Sequence, residues 1–187
     1  AVIAPKTVEI GEAVFRNTSL EEITLPFAGN LQRMLYGDRS DLTAVDLKRV
    51  TITGGTSIPD SSFSLFVTLT EVNLPDTITS IDRFAFYGCT GLESIDIPDE
   101  VTYIGEYAFT GCSNITELVI PEKVETIDNI AFAACTKITE VIVPESVKNV
   151  GTQAFDGCTS LERIMFRGNA PVIASLAFNK VTTNAYY

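Results

Sequence analysis

Cys89, Cys112, Cys135 and Cys158 follow one another at an interval of 23 residues. A fixed interval of that length confines a chain to an array of stacked supersecondary units, each burying its apolar side against the next. The same step sets out Phe86, Phe109, Phe132, Phe155 and Phe178, with Phe63 one step earlier, and the β-branched series Ile58, Ile81, Ile104, Ile127, Val150 and Ile173. A third signature, Leu92-x-x-Ile95-x-Ile97-Pro98, returns as Ile115-x-x-Leu118-x-Ile120-Pro121 and as Ile138-x-x-Val141-x-Val143-Pro144. It also occurs earlier as Leu69-x-x-Val72-x-Leu74-Pro75.

The alternation inside that phrase describes a strand with one buried face. Proline ends the strand, because it has no N–H for the ladder and its ring pins φ. Val101 and Ile104 then return apolar groups to the interior, and Glu106 to Gly111 around Ala108-Phe109 reads as a short helical turn closing the coil. The expected fold is therefore an α/β solenoid: a leucine-rich repeat horseshoe with a parallel concave β-sheet and short helical turns on the convex side. Strands beginning at Leu20, Leu47, Leu69, Leu92, Ile115, Ile138 and Leu161 make seven rungs, a sheet roughly 29 Å long at ~4.8 Å per rung. Residues 1–187 form one such domain. About residues 26–46 a divergent repeat carrying Gly29-Asn30, Met34, Leu35, Tyr36 and Gly37-Asp38 is expected to bulge from the coil. Arg167 stands where a proline belongs, so residues 167–187 are expected to be an irregular end of the array. Val8, Ile10-Gly11 and Phe15 resemble the middle of a repeat, which predicts a piece of a longer array.

Composition narrows the chemistry. With 24 acidic against 13 basic side chains, a net charge of -11 argues against nucleic acid and anionic membrane surfaces, which are held by Lys and Arg. No apolar run approaches the ~20 residues of a membrane-spanning helix, so membrane insertion is not expected. The chain has no histidine, which removes the commonest general base and the commonest metal ligand, and neither catalysis nor a cofactor is expected. Thr53-Gly54-Gly55-Thr56 shares only its glycines with a phosphate loop and reads as a turn.

Two periodic rows have a plain reading beside a chemical one. Four thiols suggest disulfides or zinc, but equivalent slots in successive coils form a row and cannot converge tetrahedrally on one ion. Phe66 occupies the same slot one repeat earlier, so the cysteines are expected to be buried, reduced and apolar in role. Asp76, Asp99, Glu122 and Glu145 follow the prolines in one register. They read either as a weak divalent-cation rail or, preferably, as acceptors for the turn after each proline.

The outward strand positions form two columns: Glu22, Arg49, Glu71, Ser94, Glu117, Glu140 and Arg163, and Thr24, Thr51, Asn73, Asp96, Val119, Ile142 and Met165. The second turns apolar after Asp96. Three adjacent apolar side chains facing water mark either a contact surface, which is preferred, or a place covered by the protein's own C-terminal tail. The candidate partner-binding residues are Val119, Ile142 and Met165, bordered by Glu117, Glu140 and Arg163.

The phrase running from Ala85-Phe86-Tyr87-Gly88-Cys89 through Ile104 resembles the BspA-type (treponemal-type) leucine-rich repeat of bacterial surface proteins, clearly from Ile58 to Phe178. The resemblance implies an extracellular or cell-surface location and a non-catalytic module that binds protein or glycan, with a structural spacer as the alternative.

Overall fold

The computed structural model describes residues 2–3, 19–26, 31, 46–169, 171–181 and 184–186. Positions 8–15 and most of 26–46, on which the mid-repeat start and the bulge were expected, lie outside them.

Among the described residues all strand pairs are parallel and follow the repeat. Strands are numbered in chain order. The leucine phrase supplies β2 (Glu22–Leu25), β3 (Arg49–Ile52), β5 (Glu71–Asn73), β8 (Leu118–Val119), β10 (Glu140–Val143) and β12 (Arg163–Phe166). Ahead of them β1 (Val2–Ile3) pairs with β2, and after them β14 (Asn184–Tyr186) pairs with β12. Six of the seven expected rungs are strands. The seventh, at Leu92, is not: residues 92–97 join no ladder, and the phrase strands divide into β1-β2-β3-β5 and β8-β10-β12-β14.

The β-branched slots build a second sheet that the sequence reading lacks. Here β4 (Ser57–Ile58), β6 (Ser80–Ile81), β7 (Tyr103–Ile104), β9 (Thr126–Ile127), β11 (Asn149–Val150) and β13 (Val172–Ile173) pair without interruption. Ile58, Ile81, Ile104, Ile127, Val150 and Ile173 stand in register across it.

The expected helical turns do not form. Among the described residues between Thr56 and Lys180 no helix closes a coil, and the fold is a β-solenoid. Hydrogen bonding explains the difference. A helix directs every N–H back along its own axis. In Glu106–Gly111 the work is divided: Ala108 and Thr110 donate to carbonyls three residues back, whereas Tyr107, Phe109 and Gly111 donate to Asn129, Ala131 and Ala133 of the next coil at 2.7 to 3.1 Å. Left-handed residues open and close each such segment. Ser61, Phe84, Tyr107, Ile130, Gln153 and Leu176 share φ of 55 to 59°, and four residues on Gly88, Gly111 and Gly157 occupy the same region. A left-handed non-glycine residue costs about 1–2 kcal/mol. Three inter-coil hydrogen bonds at ~0.5–1.5 kcal/mol each offset that, and no isolated helix would make them.

Between the sheets and these turns lies a ring stack. Phe63, Phe86, Phe109, Phe132, Phe155 and Phe178 follow at centroid spacings of 4.9 to 5.3 Å with planes within 10°. The cysteines are free and buried, as the row argument requires. Each has a polar task as well: the Cys89 Sγ donates to the Phe63 carbonyl at 2.9 Å, and Cys112, Cys135 and Cys158 repeat the bond to Phe86, Phe109 and Phe132. Burial pushes all four thiols up, Cys112 and Cys158 to about 12.

The C-terminal end is more regular than the sequence suggests. Val172 and Ile173 pair with β11, Phe178 stacks on Phe155, and β14 continues the phrase ladder. Asn184 stands beside Arg163, not in the slot of Leu161. The repeat loses two residues between Asn179 and Asn184, which hides the rung from a search at constant spacing.

Candidate functional site

On β8, β10 and β12 alternation sends Leu118, Val141 and Ile164 into the core, where each is at most 5% exposed. Their successors Val119, Ile142 and Met165 are consecutive partners in the ladder. Val119 is 75% exposed and Met165 41%. The described C-terminal residues 184–186 add as a strand at the edge, with Tyr186 in register beside Met165.

A groove of about 380 Å³ opens on this surface, lined by Thr116, Glu117, Val119, Glu122, Glu140, Ile142, Thr139, Pro144 and Arg167 among others. It takes in four of the six residues expected from sequence: Glu117, Val119, Glu140 and Ile142. Met165 and Arg163 flank it, and Arg163 holds Glu140 at 2.6 Å.

Arg167 is the residue that sequence reasoning missed. It stands where four earlier repeats have proline, and its guanidinium reaches back two coils to Glu122 at 2.5 Å, walling one side of the groove. The signal was the broken slot itself, read as decay of the pattern. Thr116 and Thr139 were also missed. They precede the Glu column in successive repeats, so a third column would have found them.

The acid row behaves differently from its expected role. Ile78, Val101, Val124 and Val147 donate to the carbonyls of Pro75, Pro98, Pro121 and Pro144 at 3.0 to 3.2 Å, so the backbone serves each turn. Asp76, Asp99, Glu122 and Glu145 are exposed, and Glu122 is engaged by Arg167. Among the described residues no three metal-ligating side chains cluster.

A parallel solenoid whose coils repeat the leucine phrase, a phenylalanine and a buried thiol defines the class: leucine-rich repeat proteins. The chain belongs to the BspA type leucine-rich repeat region family, whose model matches six copies over residues 56–184. A solved leucine-rich repeat protein from Bacteroides ovatus is similar over 88% of this chain and 41% of its own, at 27% identity and a TM-score of 0.71. The leucine-rich repeat protein of T. pallidum aligns over 80% of this chain and 61% of its own, at 25% identity and a TM-score of 0.56. This chain thus spans about two fifths of the first and three fifths of the second. No curated protein matches the sequence.

Proposed function

We propose that the chain is a non-catalytic binding module of a bacterial cell-surface or secreted protein, recognising protein or glycan through the outward face of the phrase strands. The observation that carries this reading is the outward apolar row of exposed Val119 and Met165 with half-buried Ile142 between them, beside a formed groove. A spacer has no need to hold apolar side chains in water, whereas covering them with a partner returns ~25 cal/mol per Å² of apolar surface. Family membership supports a binding or structural module of bacterial origin, and the surface location rests on the family resemblance. The absence of histidine and the pairing of Glu140 and Glu122 with arginines leave the groove poorly furnished for acid–base work.

The test is the triple variant Val119→Thr, Ile142→Thr, Met165→Thr in a pull-down of host extracellular proteins. None of the three is core, so circular dichroism and thermal midpoint should stay close to the parent. Capture should weaken at least tenfold. Equal capture by parent and variant, or no specific capture by either, transfers the assignment to the structural spacer.

A further inference from the structure

The outward face of the phrase strands changes chemistry along its length, and the change bears on what kind of partner it accepts; the argument rests on the binding reading above. The column of Val119, Ile142 and Met165 continues toward the N-terminus as Asp96 and Asn73, and the neighbouring column runs through Glu117, Ser94 and Glu71. Three arginines of this face are each held by an acid of their own: Arg49 by Glu22, Arg163 by Glu140 and Arg167 by Glu122. Between them Glu71, Glu93, Asp96 and Glu117 are exposed. Among the described residues none of these four has a Lys or Arg partner. Carboxylates gathered without cations cost stability in the free protein, and a cation brought by a ligand relieves that cost.

We infer that the groove and its acidic approach take an extended polypeptide segment in which a Lys or Arg lies two and four residues from aliphatic side chains. Coil spacing is kept through the ladder interruption, since Phe86 and Phe109 stack at 5.1 Å. Asp96 and Met165 are three coils apart, about 14 Å at ~4.8 Å per rung. In an extended peptide, positions i, i+2 and i+4 share one face at roughly 0, 7 and 13 Å. That periodicity sets the cation over Asp96 and Glu117, one aliphatic side chain against Val119 and Ile142, and the next against Met165. A neutral glycan fits less well. Sugar rings pack on aromatic faces, the groove is lined by aliphatic, acidic and threonine side chains with Arg167, already held by Glu122, and by no aromatic ring, and a glycan without amino groups leaves the four carboxylates uncompensated.

The experiment selects a display library of random twelve-residue peptides on the immobilised whole chain. A glycan array is run in parallel. Enriched peptides should share Lys or Arg two and four positions from Leu, Ile, Val or Met. A synthetic peptide of that consensus should bind at least tenfold more weakly to Asp96→Asn with Glu117→Gln, and similarly weakly to the parent in 0.5 M salt, because the attraction is between partly screened charges. Enrichment of acidic or uncharged sequences that the Val119, Ile142, Met165 triple threonine variant abolishes would overturn the cationic assignment and leave the binding face standing. A glycan signal lost in that variant, with no peptide enriched, overturns the polypeptide assignment alone. Binding indifferent to both sets of substitutions, or no binding of either library, overturns both.

Discussion

The two sides of this solenoid are built from the same number of residues per turn, yet one sheet runs unbroken through six strands and the other stops for a coil. In the unbroken sheet each strand is two residues long, and every coil from Ser57–Ile58 to Val172–Ile173 contributes. The phrase strands reach four residues, as in Glu140–Val143, and still lose the rung at residues 92–97. Strand length and buried pattern do not account for this, because Leu92, Ile95 and Ile97 remain in the core at 0%, 6% and 8% exposure. The outward neighbours differ. Where the ladder holds, they complement one another: Arg49 with Glu22, Arg163 with Glu140, Ile142 with Val119 and Met165. At the interruption the repeat register sets Ser94 between Glu71 and Glu117, and Asp96 between Asn73 and Val119. Ser and Asp are poor strand residues, and acids without a cation between them repel. A shared core keeps a coil stacked, whereas exposed cross-strand pairs decide whether its backbone also pairs.

Phe109→Ala is the largest perturbation of that contrast, because Phe109 belongs to the coil without a phrase ladder. Its ring is fully buried between Phe86 and Phe132, and its loss should cost about 3–5 kcal/mol. With the stack cut there, urea unfolding should divide into two transitions. Phe155→Ala, in a coil paired on both sheets, should lower stability by a similar amount and keep a single transition. Splitting in both variants or in neither would show that the interruption has no mechanical consequence.

Alkaline pH weakens the side that both sheets share. Folding holds the thiols protonated well above their ordinary value of 9.0, with Cys112 reaching about 12, while the unfolded chain releases those protons near 9. The folded state therefore binds more protons above pH 9, and stability that is complete below that pH should fall steadily toward pH 12. Urea midpoints across this range provide the measurement, and Cys112→Ala should flatten the dependence. Thiol titration at pH 8 should be slow in native protein and reach four groups on denaturation; two or fewer would mean disulfides.

The smallest effect is also the sharpest test of cause. Ser94→Arg with Asp96→Val supplies the missing outward complementarity, and should slow amide exchange at Ile95 and Ile97 while raising stability by about 1 kcal/mol. Unchanged exchange would place the origin of the gap elsewhere than in the outward side chains.

Identity of slot was legible because an array repeats its environment: whatever suits Phe86 suits Phe109, so Cys89 and Val119 could be assigned to core and surface before any coordinate. The groove was legible in part for the same reason, through two columns that alternation predicts. Arg167 was not, since a single departure from a repeat looks like decay until its guanidinium is seen on Glu122, two coils back. The β14 rung was not, since its register shifts by two residues.

By itself the amino-acid order determined the 23-residue coil, the inward and outward faces of each strand and the apolar row at Val119, Ile142 and Met165, because these follow from period and alternation within one chain segment. Only the tertiary structure decided where the backbone hydrogen bonds go. Glu106–Gly111 satisfies a helical pattern locally, yet three of its N–H groups find better acceptors on Asn129, Ala131 and Ala133. Residues 92–97 satisfy a strand pattern locally, yet join no ladder with either neighbouring phrase. In both places the deciding partner lies 20 or more residues away in sequence, where a local pattern carries no information about it.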